Sequence, residues 1–365
     1  MKRIVSVVGA RPNFIKLAPI HKLINSKEYK NKFKHIIIHT GQHYNYKLSE
    51  IFFKEFSLPQ PNYNLDVGSS TSCMQIAEMI KKLEYLFHSH KIDLVLVYGD
   101  TNSTFAGALA ATKSSINVAH IESGLRSFDR EMPEELNRIL TDHISNFLYP
   151  PTETAIDNLN SENIQGEIIY TGDISVEIIR DAETKICNSF ILERLKLEPK
   201  NYYLFTLHRS ENTNFECLKS IIHIFKKIPD LKIVFPIHPR TVRIFNEINL
   251  FVELKKCKNV KLIEPVGYID FVNLIKYASK VVTDSGGTQK EAYLLKTPCI
   301  TIRNNTEWLE TINEGWNILT GIDVEKTTDA IINWNPQKTL STQNPIFGNG
   351  MTSHIIVKHI RTLLE

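Results

Sequence analysis

Apolar residues in this chain fall into short unbroken runs separated by longer segments with helical spacing. Residues 4–8 form a β-branched run ended by Gly9, and a helical pattern follows from about Pro12 into Leu23. Residues 36–38 make a second run, ended by Thr40 and Gly41, and residues 94–97 a third, ended by Gly99 and Asp100. An alanine-rich helix is predicted over 103–113, then a fourth strand over 117–121, ended by Glu122-Ser123-Gly124. The pattern restarts after residues 170–173, with strands expected at 202–206, 233–236, 260–263, 281–283 and 299–302 and an amphipathic helix at about 352–364. Strands that are apolar throughout and alternate with helices predict parallel sheets covered on both faces.

Length agrees with that restart. At about 150 residues per domain, 365 residues predict roughly two domains. The fold class expected is α/β, with two Rossmann-like parallel-sheet domains. We place a hinge near 165–175, giving 1–170, 171–350 and a C-terminal helix over 351–365 packing back on the first domain. Charged residues make up 23%, which excludes global disorder, and the net charge of +3 from 43 basic and 40 acidic residues does not predict nucleic-acid binding. The apolar start at residues 4–8 is too short for a secretory signal, and no run of about 18 apolar residues predicts a membrane span. Five scattered cysteines without a C-x-x-C pair exclude a disulfide framework and a structural zinc site, and suggest buried thiols in a reducing cytoplasm.

Polar residues cluster where strands end, which is where ligands bind in open α/β sheets. Gly9-Ala10-Arg11-Pro12-Asn13 with Lys16 follows the first strand; Arg11 can fork onto phosphate, or be solvated at a plain turn. Asp100 follows the third strand, where it or Thr101 could instead be a helix N-cap. Glu122 follows the fourth. Pro133-Glu134-Glu135 suits a helix start, where acidic residues complement the macrodipole. Carboxylates converging from one half would suit general acid–base work. The second half supplies His208-Arg209 and His238-Pro239-Arg240 at strand ends, a set that would suit a dianionic ligand. Asp284-Ser285-Gly286-Gly287 then leads from a strand into a helix whose free N–H groups can cradle phosphate, with Glu291 placed to accept from ribose hydroxyls. This segment is neither a Walker A loop nor G-x-G-x-x-G, so no nicotinamide cofactor is indicated.

Together these segments resemble the non-hydrolysing UDP-N-acetylglucosamine 2-epimerase family. The resemblance is carried by GARPNFIK from Gly9, HTGQHY from His39, VYGDTNST from Val97, HIESGLRSFDREMPEELNRILTDH from His120 and PTET from Pro151. It continues through TLHRSEN, PIHPRT, EPVGYIDF, TDSGGTQKEA and RNNTEWLE in the second half. It implies a GT-B-type fold with the active site between two lobes, no metal and no nicotinamide, a UDP-sugar partner and a homodimer. It also implies inversion at C2 by elimination of UDP to a glycal and re-addition. Asp100, Glu122 and Glu134 match the family's catalytic carboxylates, and His208 its catalytic histidine. Arg11, Ser285, Gly286 and Gly287 match diphosphate contacts, Glu291 the ribose contact and Phe271 an aromatic beside uracil. Lys16, His238, Arg303 and Glu307 match further cleft residues. Gln42, His43, Arg209 and His238 are compatible with a second, allosteric UDP-GlcNAc site that bacterial members often carry, although the arginine used there is not found within 65–74.

The family's TERPE segment reads Thr306-Glu307-Trp308-Leu309-Glu310 here. With GARPNFIK and HTGQHY, that departure points to the branch containing UDP-2,3-diacetamido-glucuronate 2-epimerases. A UDP-GlcNAc 2-epimerase is the leading expectation, and the diacetamido-glucuronate enzyme the alternative. A GT-B glycosyltransferase, a hydrolysing epimerase and a non-catalytic sugar-binding protein are the competing classes. The set Asp100, Glu122, Glu134 and His208 separates the epimerase from the transferase, which needs no paired groups at C2.

Overall fold

The computed structural model describes residues 1–42, 53–207, 209–337 and 345–365. The chain divides into two compact units, Met1–Ile178 with Pro345–Glu365, and Ile179–Asn344. The first contains β1 (Lys2–Val8), α1 (Arg11–Ile24), β2 (Phe33–His39), β3 (Tyr63–Asn64), α2 (Ser72–Ser89), β4 (Leu94–Tyr98), α3 (Asn102–Lys113) and β5 (Val118–Ile121). It continues through α4 (Pro133–Ile144), β6 (Phe147–Tyr149), α5 (Glu153–Ser161), β7 (Glu167–Ile168) and the start of α6 (Ser175–Lys185).

The second unit holds the rest of α6, then α7 (Ile191–Leu195), β8 (Tyr203–Thr206), α8 (Phe215–Lys227), β9 (Ile233–Pro236), α9 (Pro239–Glu247) and α10 (Phe251–Lys256). It continues with β10 (Val260–Ile263), α11 (Tyr268–Tyr277), β11 (Lys280–Thr283), α12 (Gly286–Leu294), β12 (Cys299–Thr301), α13 (Leu309–Asn313), β13 (Asn317–Leu319) and α14 (Val324–Ile332). The chain then returns to the first unit as α15 (Thr352–Leu364).

Both sheets are parallel throughout, ordered β3-β2-β1-β4-β5-β6-β7 and β10-β9-β8-β11-β12-β13. Each runs outward from its first strand, then jumps back to that strand's other side. The resulting switch points lie between β1 and β4, and between β8 and β11. Flanking loops leave the sheet in opposite directions there, and the crevice beyond the strand ends is where doubly wound sheets hold ligands.

Apolar burial accounts for the elements the sequence predicts. Val5, Val7, Ile36, Ile38, Val95 and Val97 form one core with Met79, Leu83 and Phe87 of α2 and the alanines of α3. Small residues let α3 lie close to the sheet: a Cβ on Gly107 would sit 3.0 Å from Val7 Cβ. In the second unit Phe205, Phe225 and Phe235 pack edge-on, with centroids 4.9 and 5.0 Å from Phe205.

The expected strands are present, but β3, β6, β7 and β13 were not anticipated. They are two or three residues long, and β3, β7 and β13 are edge or near-edge strands, so none carries a long apolar run. The unit boundary falls inside α6, between Ile178 and Ile179, rather than within 165–175. Residues 345–350 sit with the first unit because Phe347 is buried there and its C=O accepts the Asp173 N–H at 2.9 Å. The helix α15 is fixed to the same unit: Ser353 donates from N and Oγ to Glu177 at 2.7 and 2.6 Å, and Tyr149 OH meets His359 Nδ1 at 3.0 Å.

Candidate active site

At the first switch point, β1 and β4 end side by side. Asn13, buried in the first turn of α1, ties the two loops together. Its Oδ1 accepts the Gly9 and Ala10 N–H groups at 3.2 and 3.0 Å, and its Nδ2 donates to the Tyr98 C=O at 2.8 Å. Gly9 is required by space: a Cβ there would lie 2.0 Å from both Ser103 Oγ and Thr40 Oγ1. Thr101 is the N-cap of α3, accepting the Thr104 N–H at 3.3 Å, so Asp100 is not spent on capping.

Asp100 and Glu122 each meet a cation here. Glu122 Oε1 lies 2.5 Å from Lys16 Nζ, both nearly buried, and a Cβ on Gly99 would touch that same pair at 2.8 and 3.5 Å. Asp100 Oδ2 accepts from Arg138 at 2.6 Å, and Asn137 holds the Asp100 C=O at 2.9 Å. Glu122 has a positive φ of 68°, a conformation that costs a non-glycine residue about 1–3 kcal/mol. Glu134 is half-buried in the first turn of α4. Its neighbour Glu135 has the structural role: fully buried, it accepts from Ser127 N, Ser127 Oγ and Phe128 N at 2.9 Å each and from Arg138 at 2.8 Å. Arg11 is half-buried at the start of α1. Gln42 points into this end of the sheet: its Oε1 accepts from Ser103 N and Oγ at 3.1 and 2.6 Å.

The second switch point has the same device. Asp284, fully buried after β11, accepts the Arg209 N–H at 3.0 Å and the Asn212 side chain at 3.1 Å, so it ties the loop after β8 to its own. Arg209 Nε also donates to the Asp284 C=O at 3.0 Å. Ser285 caps α12 by accepting the Thr288 N–H at 3.4 Å. Gly286 and Gly287 differ: a Cβ on Gly286 would lie 1.9 Å from Glu307 Oε1, whereas one on Gly287 meets nothing nearer than Ser285 Oγ at 3.9 Å. Glu307 is buried between Arg303 at 2.9 Å and Arg209 at 3.8 Å. Trp308 is buried as well, and Lys290 Nζ stands 4.1 Å above its ring.

Glu291 is half-buried on α12, and Phe271 is buried on α11. His238 is exposed at the N-terminus of α9, where its Nδ1 accepts the Arg240 N–H at 3.2 Å; in this structure it acts as a helix cap. His43 and His208 lie outside the described residues. Sequence reasoning passed over Asp284, Glu135, Arg138 and Asn13 as site builders. Asn13 and Asp284 stand out as polar residues in segments otherwise largely buried, whereas α4 buries only polar side chains and exposes Leu136 and Leu140, so apolar patterning gives no signal for Glu135 and Arg138.

Among the described residues, no helix is long and apolar enough to cross a membrane, and no cluster of His, Cys, Asp and Glu could hold a metal ion. Two doubly wound units, each with its polar set at the switch point, define a GT-B-type fold of the kind used by nucleotide-sugar enzymes. Residues 26–361 match the family described as UDP-N-acetylglucosamine 2-epimerase, and the chain belongs to that family. It is 51% identical over 364 residues to a UDP-N-acetylglucosamine 2-epimerase homolog of Methanococcus maripaludis, covering 99% of this chain and 100% of that one. It is 37% identical to a UDP-2,3-diacetamido-2,3-dideoxy-D-glucuronate 2-epimerase of Pseudomonas aeruginosa, covering 99% and 100%. The crystal structure of Methanocaldococcus jannaschii UDP-GlcNAc 2-epimerase in complex with UDP-GlcNAc and UDP superposes with a TM-score of 0.92 at 43% identity, covering 99% of each chain. The chain is therefore an isomerase of the epimerase class.

Proposed function

We propose that this enzyme interconverts UDP-GlcNAc and UDP-ManNAc without net hydrolysis. The observation that carries the reading is the pair of carboxylates, Asp100 and Glu122, which follow the adjacent strands β4 and β5 beside the β1–β4 switch point and are each held by a cation of the same unit. Inversion at C2 needs a base to take the proton on one face and an acid to return one on the other. A carboxylate fixed by Lys16 or Arg138 keeps its orientation and remains available as an acceptor. Glu134 and His208 complete the proposed acid–base set.

The second unit takes the UDP moiety in this reading. Ser285, Gly286 and Gly287 present the start of α12 to the diphosphate, with Glu291 on the ribose and Phe271 near uracil; Arg11, a residue of the first unit, is a further diphosphate candidate. Arg303 and Glu307 support that end, with Lys16 and His238 as further substrate-binding candidates. Gln42 and Arg209 are engaged with Ser103 and Asp284, which argues for a structural share in their role beside the proposed allosteric one. Five free cysteines suit a reducing cytoplasm, and Leu136 and Leu140, exposed on α4, suit a homodimer.

The relative from Pseudomonas aeruginosa supports a second reading, in which the substrate is the diacetamido-glucuronate sugar. Incubation with each UDP-sugar in deuterium oxide separates the two. Deuterium at C2 of UDP-GlcNAc with formation of the manno epimer supports the first. Exchange confined to the uronic sugar supports the second. Absence of exchange in both would end the epimerase reading.

A further inference from the structure

His120 lies on β5, fully buried, two residues before Glu122. Both of its ring nitrogens are engaged: Nδ1 meets Asp142 Oδ1 at 2.7 Å and Nε2 meets the Gly99 C=O at 2.7 Å. A carbonyl oxygen only accepts, so Nε2 carries a proton. Asp142 is an acceptor too. It is paired with the Arg126 guanidinium, which favours the ionised carboxylate. Its other oxygen already accepts from the Gly124 N–H at 3.0 Å and Arg126 at 2.7 Å. Nδ1 therefore donates as well, and a ring that donates from both nitrogens is an imidazolium.

The surrounding charges close around that cation. Arg126 forks onto Glu162 with two bonds of 2.7 Å, so His120, Arg126, Asp142 and Glu162 alternate in sign and sum to zero. The cluster reaches the loops after both strands. Gly99, whose φ is +65°, donates its N–H to the Ile121 C=O at 2.9 Å and receives the His120 Nε2–H on its own C=O. Gly99 immediately precedes Asp100, and Ile121 immediately precedes Glu122. Two opposed hydrogen bonds thus lock the ends of β4 and β5 together beside both carboxylates.

We propose that His120 is a positioning residue for the epimerisation. As a doubly donating imidazolium it fixes the Gly99–Asp100 and Ile121–Glu122 turns in one register, and so sets the placement of the two carboxylates against C2 of the sugar. The inference rests on the epimerase reading of this site.

The test uses the full-length protein with His120→Asn and His120→Phe. Asparagine can keep one of the two donors but not the charge. Expected are native circular dichroism, UDP affinity within about twofold of wild type, and C2 deuterium exchange reduced about 100-fold in kcat with KM little changed, as misplacement of a reacting group by about 1 Å produces. Nitrogen-15 histidine labelling, with His120 assigned by its loss in the Asn variant, should show both ring nitrogens protonated in the folded wild type.

A neutral tautomer at His120 would overturn the proposal whatever the activity. So would exchange within about threefold of wild type in both variants, or an activity loss that follows the fraction unfolded. Wild-type exchange, measured alongside, distinguishes this failure from failure of the epimerase reading itself.

Discussion

Lys16 Nζ and Glu122 Oε1 lie 2.5 Å apart, joining the first helix of the chain to the end of β5 across the β1–β4 switch point. Glu122→Gln keeps the shape of this contact but removes the carboxylate. It is expected to lower C2 exchange by about 10³-fold or more while UDP affinity, which the proposed function assigns chiefly to residues of the other unit, stays near wild type. Lys16→Met leaves the carboxylate in place without its ammonium, and the expected fall in kcat is smaller, about 10- to 100-fold. Isotope exchange and UDP calorimetry on both variants check the pair. Equal loss of UDP affinity in both would contradict the assignment.

The two glycines after Ser285 should not be equivalent. Gly286→Ala drives a methyl group into Glu307 and forces that buried carboxylate away from Arg303, at a cost of about 1–3 kcal/mol together with weakened UDP binding. Gly287→Ala meets open space and should leave the melting temperature nearly unchanged. Differential scanning calorimetry with and without UDP reads both effects.

Lys280, at the start of β11, is a buried lysine with a purely structural task. Its Nζ donates to the Ala330 and Ile331 carbonyls at 3.1 and 2.8 Å, closing the end of α14, and burial lowers its pKa. Lys280→Met keeps the aliphatic stem but orphans those carbonyls. The expected loss is about 1–3 kcal/mol, seen in denaturant melts, with the Kd for UDP little altered.

Acid should weaken the first unit before its carboxylates titrate. His35 is enclosed between Ser6 at 2.7 Å and His21 at 3.0 Å, and burial, aided by the His21 charge, lowers its pKa from 6.5 to about 3. The unfolded chain then binds a proton below pH 6.5 that the folded one refuses. Stability therefore falls as pH drops from 6.5 toward 3, by up to about 1.4 kcal/mol per unit for this residue. Burial lowers His21 and His39 in the same direction. His35→Asn should flatten that limb in urea melts taken across the window; an unchanged slope would remove His35 as its source.

Much of the fold is legible in the order of residues, because burial on both faces forces parallel strands into continuous apolar runs. The runs at β1, β4, β8 and β11, and the glycines that follow β1, β4 and β11, are visible without coordinates, and so are Asp100, Glu122 and Ser285 as strand-end polar residues. The short strands β3, β7 and β13 are not, since two or three residues at or near a sheet edge need no apolar signature and are held by backbone hydrogen bonds to a neighbour.

Tertiary structure alone decided which polar residue does what. Thr101 rather than Asp100 caps α3, and Glu135 rather than Glu134 anchors the 127–128 backbone, because the choice depends on which side chain faces the interior. Gly9 and Gly286 are set by approach distances to Thr40, Ser103 and Glu307, residues far away in sequence. His120 reads in sequence as one polar residue on an apolar strand. Its charge follows only from two acceptors, Gly99 and Asp142, that the fold brings to opposite edges of its ring. Local spacing specifies helices, strands and turns through backbone sterics and burial. The protonation and pairing of buried groups belong to contacts between distant segments, and only the folded chain creates them.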